Sequence, residues 1–357
     1  MSNKFWVYTI LLLLLTVSCD RRPLEVYNEN VADLQIKVDW SQFDEHPSGM
    51  TMLFSKDGDD VTQTVVTNEV DSVDVFLTPG IYYMTLFNQS FDEFGSMYFS
   101  DTRSHDQVKA RATDLTTVLT EWSASGRYMS DPDPIAVAVD TIIITEDMVG
   151  RRYVFEDYQV HNVEVDTIRH IICEVPKPMT TMLSVDVRVK GINSLRAVEG
   201  SIDGMADGFL LSQFWRTETT GTLLLSQWKA MFDYEDNGMG WLTIRIPTFG
   251  LPHGKEMEWQ RAETDNVLRL HFMLIDGSTL DFTYPVGKFI KYRGEIEDMI
   301  ARTDQTLELL LVIDADTDGK GNFPYPELPD VENDGNGGTF EAFVDDWEEG
   351  GDISIPL

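Results

Sequence analysis

Three aspartates at alternating positions form the pattern in this sequence that most directly suggests metal chemistry. Asp314, Asp316 and Asp318 are followed by Gly319. Oxygen ligands at alternate positions with glycine at the sixth are what a calcium-binding loop requires. The twelfth position holds Tyr325 instead of the glutamate that would bind calcium through both of its oxygens. The alternative interpretation is an acidic turn that opens a linker, and the sequence favours this turn.

Cys19 is the second residue whose surroundings suggest chemistry, in this case acylation of its thiol. Lys4 supplies positive charge, residues 5–15 form an apolar run, and the small residues 16–18 directly precede Cys19. This is the pattern of a secretory signal peptide, and the run is shorter than the ~20 residues that a membrane-spanning helix needs. The cysteine in this position resembles a bacterial lipoprotein signal, in which cleavage precedes the cysteine and its thiol carries the lipid.

We therefore expect residues 1–18 to be a signal peptide, Cys19 to be lipidated and residues 19–30 to be a tether to a membrane. Several acyl chains on one residue would hold the protein firmly, since each buried methylene contributes ~0.8 kcal/mol. The alternative is an ordinary secreted protein in which Cys19 has no such role.

The sequence carries no signature of an enzyme or of a cofactor site. It lacks the G-x-S-x-G, H-E-x-x-H, C-x-x-C and G-x-G-x-x-G motifs, and its six histidines are scattered. His271 falls on the polar face of a strand, where we expect it to be solvated. Cys173 lies in an apolar run and is expected to be a buried, inert thiol. We expect a non-enzymatic protein with no cofactor.

Exposed tryptophans are the residues that could bind sugars by stacking. Trp122 lies in a polar loop, and it and Trp215 are the better candidates for exposure. Trp40 and Trp241 lie in or beside alternating strands and are expected in the core.

The charge balance excludes one class of partner. There are 61 acidic and 27 basic residues, a formal net charge of −34, with no cluster of lysine or arginine. Such a surface repels phosphate backbones, so nucleic-acid binding is not expected. It also opposes adsorption on anionic lipid, so the acyl group has to supply the membrane attachment.

Alternation of apolar and polar residues with a period of two predicts an all-β protein. It is clearest at 34–40, 185–189 and 242–246. Residues 268–284 read as a hairpin because Asp276-Gly277 separates two alternating runs. Helical patterns are restricted to 295–302 and one turn at 145–149. Many short strands joined by turns predict antiparallel β-sandwiches.

The alternation is interrupted once in a way that predicts two tandem domains. The boundary lies near Glu164 to Lys177, giving β-sandwiches at 31–165 and 166–313. Residues 314–338 are rich in Asp, Gly and Pro and read as a flexible linker. Residues 339–357 become apolar again and read as a terminal strand segment.

Several segments resemble the fimbrillin-like lipoproteins of the Bacteroidetes, in particular the group related to fimbrial anchor and minor subunits. The resemblance covers nearly the whole chain and rests on the order and spacing of its segments. These are Cys19 and residues 32–40, 47–54, 79–83, 185–195, 200–206, 337–340 and 345–347.

This resemblance implies two transthyretin-like β-sandwich domains, outer-membrane lipid anchoring and a non-enzymatic role in fimbria assembly or adhesion. It also implies fimbrial subunits as partners, joined through edge-strand pairing. The alternative function is a surface glycan-binding lipoprotein. Asp20 is followed by Arg21-Arg22 instead of an acidic run, so the membrane face stays open.

The terminal segment offers the most mechanistic hypothesis. Residues 333–338 impose almost no conformational preference, and Ile353 and Ile355 alternate with Ser354. The segment could therefore dock as a strand on a partner subunit. Alternatively it completes its own sheet, which the sequence slightly favours for an anchor-like protein because an anchor needs one joining surface.

Overall fold

The computed structural model describes residues 31–59, 61–115, 127–149, 151–156, 159–164, 170–233, 238–293, 308–331 and 353–354. Side chains are described outside 151–164 and 353–354. Within these ranges the regular secondary structure is almost entirely β-strand, which confirms the all-β class expected from the alternation. The helices in the described ranges are short 3-10 turns at Phe91–Glu93, Glu146–Met148, Ile192–Ser194, Leu211–Gln213, Glu258–Gln260 and Glu263–Asp265.

The strands follow one another closely along the chain. Those of the first half are β1 (Ala32–Val38), β2 (Met50–Lys56), β3 (Thr62–Thr67), β4 (Ser72–Leu77), β5 (Gly80–Asn88), β6 (Met97–Ser100), β7 (Lys109–Ala112), β8 (Tyr128–Met129), β9 (Ala136–Ile144), β10 (Arg151–Glu156), β11 (Gln159–Glu164), β12 (His170–Glu174) and β13 (Lys177–Pro178). Those of the second half are β14 (Thr181–Lys190), β15 (Leu195–Ala206), β16 (Gly208–Leu210), β17 (Trp215–Arg216), β18 (Thr220–Leu225), β19 (Lys229–Phe232), β20 (Met239–Thr248), β21 (Val267–Leu274), β22 (Thr279–Pro285), β23 (Lys291–Tyr292), β24 (Leu309–Ile313) and β25 (Ile353–Ser354).

Local patterns in the sequence correspond well to these elements. The predicted hairpin is confirmed, since β21 and β22 pair antiparallel from Val267↔Pro285 to Met273↔Thr279. Its turn contains Gly277 at φ 82°, a conformation that glycine adopts without steric cost. The predicted turn at 145–149 is the 3-10 helix Glu146–Met148. The possible helix at 295–302 lies outside the described residues.

The chain divides into two compact units. The larger comprises residues 35–74, 80–143 and 171–357, and the smaller comprises 1–34, 75–79 and 144–170, each as far as it is described. The smaller unit contains the β10–β11 hairpin, which pairs antiparallel from Arg151↔Glu164 to Glu156↔Gln159. A bridge between Ala32 and Val149 also lies within it.

The main core of the larger unit lies between two sheets. The six-stranded sheet has the order β23-β24-β14-β20-β19-β25, and the five-stranded sheet has the order β22-β21-β15-β18-β8. Alternate residues of β14, from Leu183 to Val189, are fully buried and share one apolar cluster with Leu268, Leu270 and Phe272 of β21. Period-two alternation therefore places one face of each sheet in a common interior, as in a β-sandwich.

A four-stranded sheet of order β17-β16-β7-β6 joins early and late parts of the chain. Within it, β7 pairs antiparallel with β16, and β8 pairs in parallel with β18 of the five-stranded sheet. Strands β7 and β8 thus pair with strands that follow residue 200. The predicted division into domains at 31–165 and 166–313 stays a prediction.

The remaining sheets contain the early strands. One has the order β13-β9-β5-β2-β3, and a three-stranded sheet has the order β12-β1-β4. Strand β2 is buried on both faces over most of its length. Leu53 belongs to the large apolar cluster, whereas its neighbours Met52 and Phe54 are buried on the other face.

Residues 314–331, the first part of the predicted linker, lie against the six-stranded sheet. The Leu328 N–H donates to the carbonyl of Lys190 at 2.8 Å, and the Lys190 N–H donates to the carbonyl of Pro326 at 3.0 Å. Leu328 is buried, and Phe323 packs against the apolar cluster. This part of the segment is therefore held on the protein. Residues 332–338 of the predicted linker lie outside the described residues.

Candidate functional site

The edge of the six-stranded sheet is the candidate site that the terminal-segment hypothesis singles out. Strand β25 pairs antiparallel with β19 of the same chain, with Ser354 opposite Lys229 and Ile353 opposite Ala230. This is the arrangement in which the terminal segment completes its own sheet. Among the residues that the structure describes, the pairing joins positions more than a hundred apart through two strand partners.

Strand β19 is held firmly on its inner side. It pairs with β20 over four residues, from Lys229↔Thr243 to Phe232↔Gly240. The indole of Trp228, directly before the strand, is buried and its Nε1–H donates to the carbonyl of Leu225 at 2.8 Å. Gly240 permits this close pairing, because a Cβ there would lie 2.6 Å from the carbonyl oxygen of Met231.

The outer side of β19 is covered over only part of its length in the described residues. Strand β25 reaches Lys229 and Ala230, whereas Met231, whose side chain is exposed, and Phe232 lie beyond that pairing. An edge strand presents backbone donors and acceptors that accept another extended chain, and neighbouring side chains then select the partner. The chemistry of this site is therefore main-chain hydrogen bonding.

Aromatic side chains form a second candidate site. Trp215, on the edge strand β17, is 37% exposed. Its ring stacks on the imidazole of His253, with centroids 4.5 Å apart and an interplanar angle of 11°. His253 Nδ1 in turn lies 3.2 Å from a carboxylate oxygen of Glu256. The sequence singled out Trp215, and the structure adds His253 as its partner.

The loop that carries His253 is organised by the buried Arg261. Its guanidinium donates to the backbone carbonyls of Lys255 and Glu256 at 2.9 and 2.8 Å, and to those of Gly287 and Ile290. Burial lowers the pKa of Arg261. Trp259, on the same loop, is 75% exposed. No pattern in the sequence indicated this exposure, because Trp259 lies outside any alternating run.

Other tryptophans divide between the core and the undescribed part of the chain. Trp40 is buried, as predicted, and its indole donates to the carbonyl of Val70 at 2.9 Å. Trp241 is partly buried and lies under the guanidinium of Arg188 at 5.9 Å. Trp122 lies outside the described residues.

The acidic loop uses its carboxylates to support its own backbone. An Asp314 oxygen accepts from the N–H of Ala315 at 2.7 Å, and an Asp318 oxygen accepts from the N–H of Lys320 at 2.8 Å. Asp314 also lies 3.7 Å from the guanidinium of Arg188. Among the described residues, no group of three or more His, Cys, Asp or Glu side chains is arranged to hold a metal ion. The loop has the geometry of an acidic turn.

The prediction for Cys173 is wrong, because its thiol is exposed. It lies on β12, the edge strand of the three-stranded sheet, where Ile171 and Val175 on the same face are also exposed. Three apolar residues in a row, Ile171-Ile172-Cys173, do not show which of them face the interior. Burial of Cys173 was therefore the wrong inference. Cys19 lies outside the described residues, and its lipidation stays a prediction.

His271 has a partner that the sequence did not indicate. It lies on β21, and its Nδ1 is 2.6 Å from a carboxylate oxygen of Asp281 on β22. The two residues are direct cross-strand neighbours in the hairpin. The histidine is partly exposed, so the structure assigns it a surface hydrogen bond.

The buried carboxylate of Asp207 is the strongest electrostatic feature of the larger unit, and the sequence did not reveal it. Its side chain has no exposed surface and contacts the guanidinium groups of Arg111, at 3.2 Å, and Arg127. Thr217 and Thr219 donate their hydroxyls to it at 2.6 and 2.7 Å. Burial alone would raise the pKa of Asp207, but the two hydroxyls and the two guanidinium groups lower it below its usual value. This cluster stabilises the junction of β7, β8 and β16.

One carboxyl group, that of Glu174, has a pKa near neutrality. Burial, together with the charge and hydrogen bond of neighbouring Asp140, raises the pKa of Glu174 to about 7. A half-protonated carboxyl can transfer protons, yet Glu174 lies at the end of edge strand β12. We therefore interpret the hydrogen bond between Glu174 and Asp140 as a local contact that depends on pH.

These features define an all-β protein of stacked antiparallel sheets with a strand-accepting edge. The chain belongs to the family described as "Domain of unknown function (DUF5119)", whose pattern matches residues 18–226, more than half of the chain. No curated protein matches the sequence. None of the helices in the described ranges has the length and apolar character to cross a membrane.

Two solved structures are similar to this chain. A "putative adhesin" from Bacteroides ovatus is 16% identical, with 85% of this chain and 91% of that chain covered and a TM-score of 0.51. The fimbrial anchor protein Mfa2 from Porphyromonas gingivalis is 12% identical, with 79% and 90% covered and a TM-score of 0.43. The likeness to the Bacteroides protein shows a shared fold, and the β fold expected from the resemblance is confirmed.

Proposed function

We propose that this chain is a lipid-anchored, non-enzymatic outer-membrane or cell-surface protein that serves as a fimbria-associated anchor or minor subunit in adhesion or assembly. The observation that carries the proposal is the terminal strand β25, seated by two residues on the edge strand β19. The adhesin description of the Bacteroides ovatus protein with the same fold supports it.

The short pairing makes this edge suitable for exchange. A cross-strand pair contributes roughly 0.2–1 kcal/mol, so the two pairs described for β25 contribute little compared with the ten-residue pairing of β14 and β20. A longer strand from another subunit would also pair with Met231 and Phe232. It could therefore replace β25 without disturbing the inner pairing of β19.

The C-terminal segment provides the direct test. Deleting residues 339–357 should leave a folded protein without its own terminal strand. The amount of other subunits that bind at the edge should then differ from the amount bound by the wild type. Co-purification of tagged protein with fimbrial subunits from a Bacteroidetes cell measures this. Deleting only residues 355–357 is the matched control, because it keeps Ile353 and Ser354.

Two results would contradict the proposed role of the edge. In the first, both deletions co-purify the same subunits in the same amounts as the wild type. In the second, the 339–357 deletion fails to fold, which would mean that the segment is a permanent part of its own sheet. Circular dichroism of the purified deletion protein separates this second result from a loss of binding.

The lipid anchor is tested independently at Cys19. Its support is the apolar run followed by small residues directly before the cysteine. Labelling with radioactive palmitate should mark the wild type and not Cys19→Ser, and the variant should leave the membrane fraction. Cys173→Ser is the matched control. Equal labelling of the wild type and Cys19→Ser would refute the anchor.

A second candidate function is glycan binding, which the exposed Trp215 stacked on His253 favours. Aromatic rings bind the apolar faces of sugars, and the neighbouring Glu256 supplies a hydrogen-bond acceptor. A glycan array with the purified protein tests it, with Trp215→Ala as the site variant. Trp259→Ala is the control, since it removes an exposed tryptophan outside the pair. Binding that survives Trp215→Ala would exclude this site.

A further inference from the structure

An aromatic cavity beside edge strand β6 is the feature that neither the terminal strand nor the Trp215–His253 pair accounts for. It has a volume of about 530 Å³ and is lined by Phe91, Phe94, Tyr98, Phe99, Asp92 and Thr102, among others. This volume lies within the range of roughly 300–1,000 Å³ that is typical of small-ligand sites.

The aromatic wall is rigid because its rings support one another. The rings of Phe91 and Phe99 meet nearly perpendicular, with centroids 5.0 Å apart at 77°. Phe99 also stacks on the buried Phe87 at 4.9 Å and contacts Phe94 at 5.2 Å. Phe91 and Phe99 are half-buried, and Tyr98 is 44% exposed. The cavity thus presents aromatic surface that is fixed from behind by the core.

The backbone around the cavity is positioned by specific hydrogen bonds. The Ser90 N–H donates to the carboxylate of Glu93 at 2.8 Å, which closes the turn that projects Phe91. The Ser96 N–H donates to the carboxylate of Asp133 at 2.8 Å. Gln89 adopts a left-handed conformation at φ 63°, and its N–H donates to the carbonyl of Gly49 at 2.7 Å.

The polar groups of the cavity select for positive charge. Asp92 is exposed and, within the described ranges, has neither an ion pair nor a hydrogen bond of its side chain. The neighbouring acid Asp101 already lies 3.8 Å from Lys109, and Arg103 does not line the cavity. Aromatic faces attract cations through their quadrupole, and the net charge of −34 raises the local concentration of cations.

From this combination we propose that the cavity binds an organic cation, an ammonium group carried on an apolar stem. The ammonium lies against the rings of Phe91 and Phe99, close to Asp92, and the stem packs on the rest of the aromatic wall. A free amine and a lysine side chain share this chemistry. The aromatic wall distinguishes the site from a simple acidic surface, where a hydrated metal ion would serve equally well.

Calorimetric titration of the purified protein with choline and with its neutral isostere 3,3-dimethylbutanol tests the proposal. The two molecules have the same shape, so their difference reports the charge. We expect choline to bind about five times more tightly or better, as a cation over aromatic rings at a partly exposed site should. Equal affinities, or no binding of choline at tens of millimolar, would overturn it.

Variants then locate the site. Asp92→Asn and Phe91→Leu should each weaken choline binding about threefold or more, and neither should change the affinity for the neutral isostere as strongly. Asp44→Asn is the matched control, because it removes an equally exposed charge elsewhere. A loss of the same size in Asp44→Asn would assign the effect to net charge and overturn the site. The melting temperature of each variant shows whether it is folded.

Two further ligands identify the source of the cation. A blocked tripeptide with a central lysine is compared with the same peptide containing norleucine. If the lysine peptide binds more tightly than choline, the site recognises a protein partner. If choline binds at least as tightly, the site takes a small free organic cation.

Discussion

Arg111 on β7 and Asp207, directly after β15, are joined by an ion pair of 3.2 Å although 96 residues separate them along the chain. The carboxylate has no exposed surface, whereas the arginine is partly exposed. The pair therefore links strand β7 to a part of the chain that is synthesised much later. The buried carboxylate of Asp207 depends on its ion-pair and hydrogen-bond partners to remain charged.

We expect Asp207→Asn to destabilise the protein strongly. The amide keeps the shape of the side chain but removes the carboxylate that Arg111 and Arg127 share, which leaves Arg127 with Asp114 alone. Breaking a buried pair costs about 3–5 kcal/mol. The free energy of unfolding from urea denaturation measures this. Asp101→Asn, which removes an exposed ion pair, should cost under about 1 kcal/mol. Equal effects of the two variants would show that the buried pair contributes no more than a surface pair.

Glu174→Gln should remove a pH-dependent loss of stability. The pKa of Glu174 is raised to about 7 in the folded protein, so the folded state binds the proton more tightly than the unfolded state does. The stabilisation is complete below the unfolded pKa of about 4.3 and is lost as the pH rises through 7. Because the group is partly exposed, we expect a change of about 1 kcal/mol.

The comparison for Glu174 is the difference in free energy of unfolding between wild type and variant, measured from pH 5 to pH 8. This difference should move in favour of Glu174→Gln as the pH rises. Glu45→Gln, at an exposed position, should show no such trend. A flat difference for Glu174→Gln would contradict the raised pKa.

Cys173 should react with a maleimide in the folded protein. Its thiol is exposed on an edge strand, so modification should reach one equivalent without denaturant when Cys19 is replaced by serine. Mass spectrometry of the modified protein measures this, and Cys173→Ser in the same background is the control. Reaction that requires denaturant would mean that the thiol is buried after all.

Arg261→Lys should loosen the loop that carries His253 and Trp259. Arginine donates to four carbonyls at once, and the three donors of lysine do not reproduce this planar fork. We expect a loss of about 2–4 kcal/mol from unsatisfied buried carbonyls, with faster amide hydrogen exchange at residues 253–260. Arg196→Lys, at a position without such a network, should have little effect. Unchanged exchange in Arg261→Lys would show that other contacts hold the loop.

Much of the fold was predictable because burial on one face leaves a direct pattern in the sequence. The runs at 185–189 and 242–246, and the hairpin marked by Asp276-Gly277, correspond to paired strands for this reason. Cys173 was misassigned because an uninterrupted apolar run does not show which face is inward. Asp207 was missed because an aspartate followed by glycine usually marks a turn, and its partners lie far away in sequence.

The candidate site was predictable only in outline. The apolar terminal segment indicated a strand, but β19 as its acceptor follows from sheet order, which no local pattern encodes. The aromatic cavity was also hidden, since phenylalanines spaced from 87 to 99 read equally well as core. Their convergence depends on the turn at Phe91–Glu93.

Strand β24 determines how late during synthesis the protein can complete its fold. It lies between β14 and the edge strand β23 and runs parallel to β14, and its residues Leu309, Leu311 and Ile313 are fully buried in the apolar core. During synthesis, the six-stranded sheet lacks this strand until residue 313 has left the ribosome. The sandwich therefore closes late, through contacts between distant residues that form slowly, and the incomplete chain has to be kept from aggregating until then.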